Sequence, residues 1–234
     1  MYRALIPVYR WALLWSRVGI LLSLGLVLIF KIFGTEIGLS TQLVIAVIAL
    51  FVGIPHGAID HLISIPRKPD SRLIAYILIY SLIAVFSGWL IATWNVNGFR
   101  AIVVLSALHF GFGDASYLNE SQDSKDLPRY SLFTECLYAL PAGALPVLLP
   151  LTDSRTTSAL IRIHPSLQNW AGGSLGLIRN IVLGVSLLFI VLLLLKGAIN
   201  QVIDLIILFI ISIFAPPLIA FAAYFGFWHA IRHT

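Results

Sequence analysis

The side chains of this chain best suited to chemistry are its six histidines: His56, His61, His109, His164, His229 and His233. His229 and His233 stand four apart in the segment HAIRH, so on a helix both imidazoles share one face and can bind a single ion. The segment lacks the glutamate of HExxH, which argues against peptide hydrolysis. His56 follows Pro55, which is expected to break a helix there, and precedes Gly57, which lets the backbone approach a ligand closely. Asp60, four residues after His56, can hold a ring N–H, as carboxylates often do beside ligating histidines. His61 is turned about 140° from His56 on a helix and reads as a supporting donor or a helix-end residue. His109 lies in ALHFGFGDA, where Gly111 and Gly113 are expected to clear space and Phe110 and Phe112 to line an apolar cavity. Asp114, at the end of that motif, reads either as a supporting carboxylate or as the first solvated residue after a helix. Tyr224, in the aromatic run before His229, could orient substrate or oxygen. His164, beside Pro165, reads as a solvated loop residue.

Apolar sequence must position these groups. Of the 234 residues 59% are hydrophobic and only 11% charged, with a mean hydropathy of +0.97. Soluble domains carry roughly a quarter charged residues, so a water-exposed globular protein is excluded, and disorder fails on the same grounds. The apolar runs are continuous and not alternating, which predicts an all-α polytopic transmembrane bundle and excludes a barrel. The single Cys136 rules out an internal disulfide, and the scattered charge of +5 is no nucleic-acid footprint. No small-residue cleavage site follows the first apolar stretch, so a cleaved signal peptide is not expected. The chain is expected to form a single integral membrane domain over residues 1–234.

About 20 apolar residues cross a bilayer. Spans are expected at Trp11–Phe33, Ser40–His56, Leu73–Trp94, Phe99–Gly113, Leu132–Leu151 and Leu177–Leu195, with Arg17 and Lys31 snorkelling from the first. The stretch from Val202 to His233 would be about 48 Å long as one helix, well beyond the hydrocarbon core. Pro216 and Pro217 divide it into two short spans, which brings the count to seven or eight. Asp114–Ser131 and Thr152–Gly176 are expected to be solvated caps, and Glu135 in the fifth span is unexplained. Arg3, Arg10, Arg17, Arg67, Lys68, Arg72, Lys125 and Arg129 outweigh the basic residues of the opposite loops, predicting a cytoplasmic N-terminus. On the eight-span count His56, His61, His109, His229 and His233 all lie at the cytoplasmic ends of even-numbered spans. Residues from three distant parts of the sequence would then converge at one depth, as a metal site requires. A single final crossing would dissolve that cluster. The bland reading of Trp228 and Arg232 is interfacial anchoring.

Neutral imidazoles without thiolates suit iron, copper, zinc or nickel. Membrane di-iron desaturases use more histidines and HxxHH boxes, which this chain lacks. Together the blocks GIPHGAIDH (Gly53–His61), ALHFGFGDA (Ala107–Ala115) and YFGFWHAIRH (Tyr224–His233) resemble the Brp/Blh family of bacterial and archaeal membrane β-carotene 15,15′-dioxygenases. The resemblance implies an iron(II) site ligated by His56, His109, His229 and His233, with Asp60 and His61 in support. It also implies β-carotene and O2 as substrates, two molecules of retinal as products, a location in the cytoplasmic (inner) membrane and a functional link to a microbial rhodopsin. Thr234 follows His233 directly where family members continue, so a chain truncated at its C-terminus is expected. Two other classes compete. A non-catalytic carotenoid or rhodopsin assembly factor would bind pigment without iron. A histidine-lined transporter would need polar residues along several spans, whereas here the halves away from the histidines are nearly pure Leu, Ile, Val and Phe.

Overall fold

In a computed structural model, residues 5–64, 71–162 and 164–233 are described, without the side chains of residues 52–64, 71–73, 76 and 80. Among the described residues there are helices and no strands. Five long helices come first: α1 (Ile6–Ile32), α2 (Leu39–Ser64), α3 (Ser71–Trp94), α4 (Val96–Asp123) and α5 (Leu132–Val147). A cap of short turns around α6 (Ser154–Ala159) leads to α7 (Leu175–Leu195) and α8 (Ile199–Phe214). The chain ends in α9 (Pro217–Ala223), a π-helical turn at Tyr224–His229 and α10 (Ala230–Arg232).

Among the described residues four helices are long and apolar enough to cross a membrane: α1, the Ile77–Trp94 part of α3, α4 and α7. Shorter apolar helices add to these at Leu39–Phe51, Leu132–Val147 and Ile199–Phe214. Their outer faces expose large aliphatic residues such as Leu22, Leu82, Leu105 and Leu188, an arrangement suited to lipid rather than water.

Several expected boundaries move. The α2 helix does not end near His56 but runs past Pro55 to Ser64. A proline inside an apolar helix removes only one hydrogen bond, and packed neighbours can offset that loss. The α4 helix does not end at Gly113. It continues ten residues to Asp123, so most of the expected Asp114–Ser131 loop is helix, with Asp114, Tyr117, Leu118 and Asn119 buried. At 28 residues it is about 42 Å long, more than a hydrocarbon core requires, and polar residues fill its last turns. The expected Thr152–Gly176 cap is built of short turns over its own apolar cluster of Leu160, Leu167 and Trp170. Glu135 sits in the first turn of α5, where the positive end of the helix dipole favours an acid. The break at Pro216–Pro217 falls where the prolines predict it, between α8 and α9.

The closest helix crossing joins α4 to α5. A Cβ added at Gly111 would collide with the Ala139 carbonyl, and one at Gly143 with the Ala107 carbonyl. Ala107 and Gly111 thus face Ala139 and Gly143, two small-xxx-small pairs that let membrane helices touch backbone to backbone. Gly111 therefore serves this crossing and does not clear space for a ligand. Gly143→Val is expected to destabilise the fold by about 1–3 kcal/mol. The expected reading is a lower thermal midpoint in detergent, followed by circular dichroism.

Candidate metal centre

α4 and the C-terminal element carry the site. α4 presents Asp114, which is fully buried, and the π turn with α10 presents His229 and His233. In a π turn residues five apart come into line, so the Tyr224 ring stacks on that of His229 with centroids 6.0 Å apart. Tyr224 and Trp228 both point at Asp114. The Tyr224 hydroxyl donates to Asp114 Oδ2 at 3.0 Å and the Trp228 indole N–H donates to the same oxygen at 2.9 Å.

With Oδ2 held in this way, Oδ1 faces the histidines. It lies 3.8 Å from His229 Nδ1 and 3.5 Å from His233 Nε2, and it accepts no hydrogen bond among the described residues. One ligand atom from each of Asp114, His229 and His233 falls within 4.8 Å of the others. These separations exceed good hydrogen bonds, yet a shared divalent ion with bonds of about 2.1 Å holds ligand atoms roughly 3–4 Å apart. The donor set therefore fits a transition-metal ion. The two histidine rings lie 4.5 Å apart, and Gly113 borders both, a Cβ there coming into ordinary contact with the His233 ring at 3.6 Å.

His109 lies next to this set but outside it. Its ring centroid is 6.2 Å from that of His229, and the residue is exposed on α4. Phe110 closes the apolar side, its ring edge-on to His229 at 4.7 Å. Phe112 is 37% exposed and points away from the buried core. The side chains of His56, Asp60 and His61 lie outside the described residues. His164 is exposed and caps the short turn at Pro165–Asn169 through its Nδ1. Of the sequence-derived candidates, the structure thus joins Asp114, Tyr224, His229 and His233, with His109 at their border.

Sequence reasoning missed the buried charges behind the site. Arg232 is not an interfacial anchor. Its guanidinium is buried, pairs with Asp204 Oδ2 at 3.0 Å, donates to Ser16 Oγ and Tyr138 Oη, and lies 3.6 Å from the centre of the Trp228 ring. Nor does Arg17 snorkel, because it binds Asp204 Oδ1 at 2.7 Å. An acid in the second turn of the otherwise apolar α8 was the available signal, since buried intramembrane charges seek partners. Arg17, Asp204 and Arg232 tie α1, α8 and α10 together directly behind Trp228.

The β-carotene 15,15′-dioxygenase family model matches residues 47–234, which include every residue of the site. A curated relative named β-carotene 15,15′-dioxygenase, from an uncultured marine bacterium, is 30% identical over 200 residues. That alignment covers 80% of this chain, and the chain spans 66% of the relative's length. No solved structure matches.

Proposed function

Because the chain belongs to the β-carotene 15,15′-dioxygenase family, we propose that it cleaves β-carotene oxidatively at the central double bond. The carbon–carbon double bond is replaced by two C=O groups, one oxygen atom of O2 entering each of two retinal molecules. The observation that supports this most is the convergence of Asp114, His229 and His233 inside the matched region. Bound iron(II) would supply the one-electron chemistry that lets O2 react with a closed-shell alkene.

The protein's own residues do the rest. In this reading His229 and His233 are ligands, with His109 and His56 completing a four-histidine set. The Asp114 carboxylate, braced by Tyr224 and Trp228, orients the two rings and offsets the charge of the ion. Phe110 and the stacked Phe221 and Phe225 make the surroundings apolar, which excludes water and suits a polyene that already resides in lipid. A second reading has its own support: two histidines and one carboxylate would supply the facial set by which non-haem iron(II) oxygenases hold their ion. We place the protein in the cytoplasmic membrane, N-terminus inside, as a single domain of seven or eight spans serving a retinal-binding rhodopsin.

The test is expression in cells that accumulate β-carotene, with retinal measured by chromatography and iron measured on the purified chain. Retinal together with about one iron per chain is the expected result. Membrane-inserted, iron-loaded protein that forms no retinal would sink the enzyme. Pigment bound without iron would favour the assembly factor.

A further inference from the structure

An apolar crevice of about 660 Å³ opens between α1, α2 and the C-terminal element that carries two residues of the candidate metal centre. Leu26 and Phe30 line it from α1, Ile45 and Ala49 from α2, and Ala222 and Phe227 from α9 and the π turn. Its mouth, at the α1–α2 connection, is polar, with Thr35, Glu36 and Thr41. Toward its inner end the described lining is Ser23, Ala49 and Gly226, and a Cβ at Gly226 would come into ordinary contact with Ala49 Cβ at 3.6 Å. Gly226 is three residues before His229, less than one turn of the element that holds the ligands.

We infer that this crevice holds one ring-bearing half of the carotenoid and so measures the position of cleavage. The assignment rests on the proposed function and on dimensions. From Gly38 to Ala49 the α2 wall is about 16 Å long at the helical rise. An extended carotenoid is about as long as the hydrocarbon core is thick, roughly 30 Å, so one half needs about 15 Å. A half-molecule seated with its ring at the polar mouth brings the central double bond to the Ala49–Gly226 end, three residues along the chain from His229. The crevice is open to the side, where Leu26 and Ile48 are each 56% exposed, so a lipid-dissolved polyene can enter from the bilayer without crossing water.

Thr41 and Ile45 are exposed on the crevice wall, so a larger side chain there displaces no packed neighbour. Ile45→Trp fills the middle and is expected to lower retinal formation at least tenfold at unchanged iron content. Thr41→Trp shortens the crevice at its mouth and is expected to move cleavage off centre, giving unequal aldehyde or ketone fragments in place of retinal alone. A change in fragment length is something a merely structural role would not produce. Wild-type rates and only retinal from both variants would overturn the assignment, leaving the crevice to a lipid acyl chain while the proposed function stands. If the unmodified, iron-loaded chain forms no retinal, the proposed function falls first. The crevice is then decided by β-carotene retention, read as absorbance of protein purified without oxygen. Pigment held by the unmodified chain and lost in Ile45→Trp would support it, and equal retention or none would overturn it.

Discussion

His229→Ala is expected to lower retinal formation by at least about 100-fold and to strip iron from the purified chain, while insertion into the membrane and helix content remain. The expectation follows from position. His229 is 4% exposed, its ring lies 4.5 Å from that of His233, and Phe110 packs edge-on against it, so the imidazole is fixed at the centre of the set. Alanine there also opens a cavity beside Phe110, Tyr224 and Phe225, so insertion and helix content are measured on the same preparation as iron. Two further substitutions separate the two ligand sets. If four imidazoles hold the ion, His109→Ala loses iron and Asp114→Asn keeps most of it, because asparagine still accepts from Tyr224 and Trp228. If the facial set holds it, Asp114→Asn loses iron and His109→Ala retains it. Iron per chain, measured on both variants after identical purification, decides. Wild-type iron and retinal in His229→Ala would remove that residue from either set.

The largest stability effect is expected at Asp204, where Asp204→Asn should cost about 3–5 kcal/mol. Asp204 is fully buried between two cations, with Arg17 on one carboxylate oxygen and Arg232 on the other. Removing its charge leaves the buried Arg232 guanidinium without its counter-charge, and leaves Arg17, 18% exposed, with only Asn200 to bind among the described residues. The loss should extend to the candidate metal centre. Arg232 packs on Trp228, Trp228 holds Asp114, and Asp114 faces both histidines, so a displaced Arg232 loosens the set. Detergent-solubilised Asp204→Asn is therefore expected to unfold at lower temperature and to bind iron more weakly than wild type. Replacing the network as a unit, with Arg17→Met, Asp204→Leu and Arg232→Met together, should recover much of the thermal stability, because apolar packing often matches a buried ion cluster. Unchanged unfolding in Asp204→Asn would show that the cluster is solvated in the membrane.

Between these two results lies the division between sequence and tertiary structure. Composition and apolar run length sufficed for an all-helical, membrane-type chain, because bilayer thickness and backbone hydrogen bonding leave few alternatives. The double proline located the break between α8 and α9, since two adjacent prolines remove consecutive N–H donors and clash with the preceding turn. Spacing brought His229 and His233 together, because residues four apart on one helix meet wherever that helix goes. Hydropathy could not extend α4 to Asp123. A polar stretch reads as loop until neighbours bury it, and here Tyr117 and Asn119 are buried in the last turns. That extension places Asp114 in a packed helix beside the histidines and not in water. Nor was the π turn legible, since its five-residue register has no counterpart in the periods by which helices are recognised. The Arg17–Asp204–Arg232 pairing joins residues up to 215 positions apart. Sequence determined which side chains could serve, through local spacing and the demands of a bilayer. Only the folded arrangement decided which of them meet, because burial and charge pairing are fixed by neighbours that lie far away along the chain.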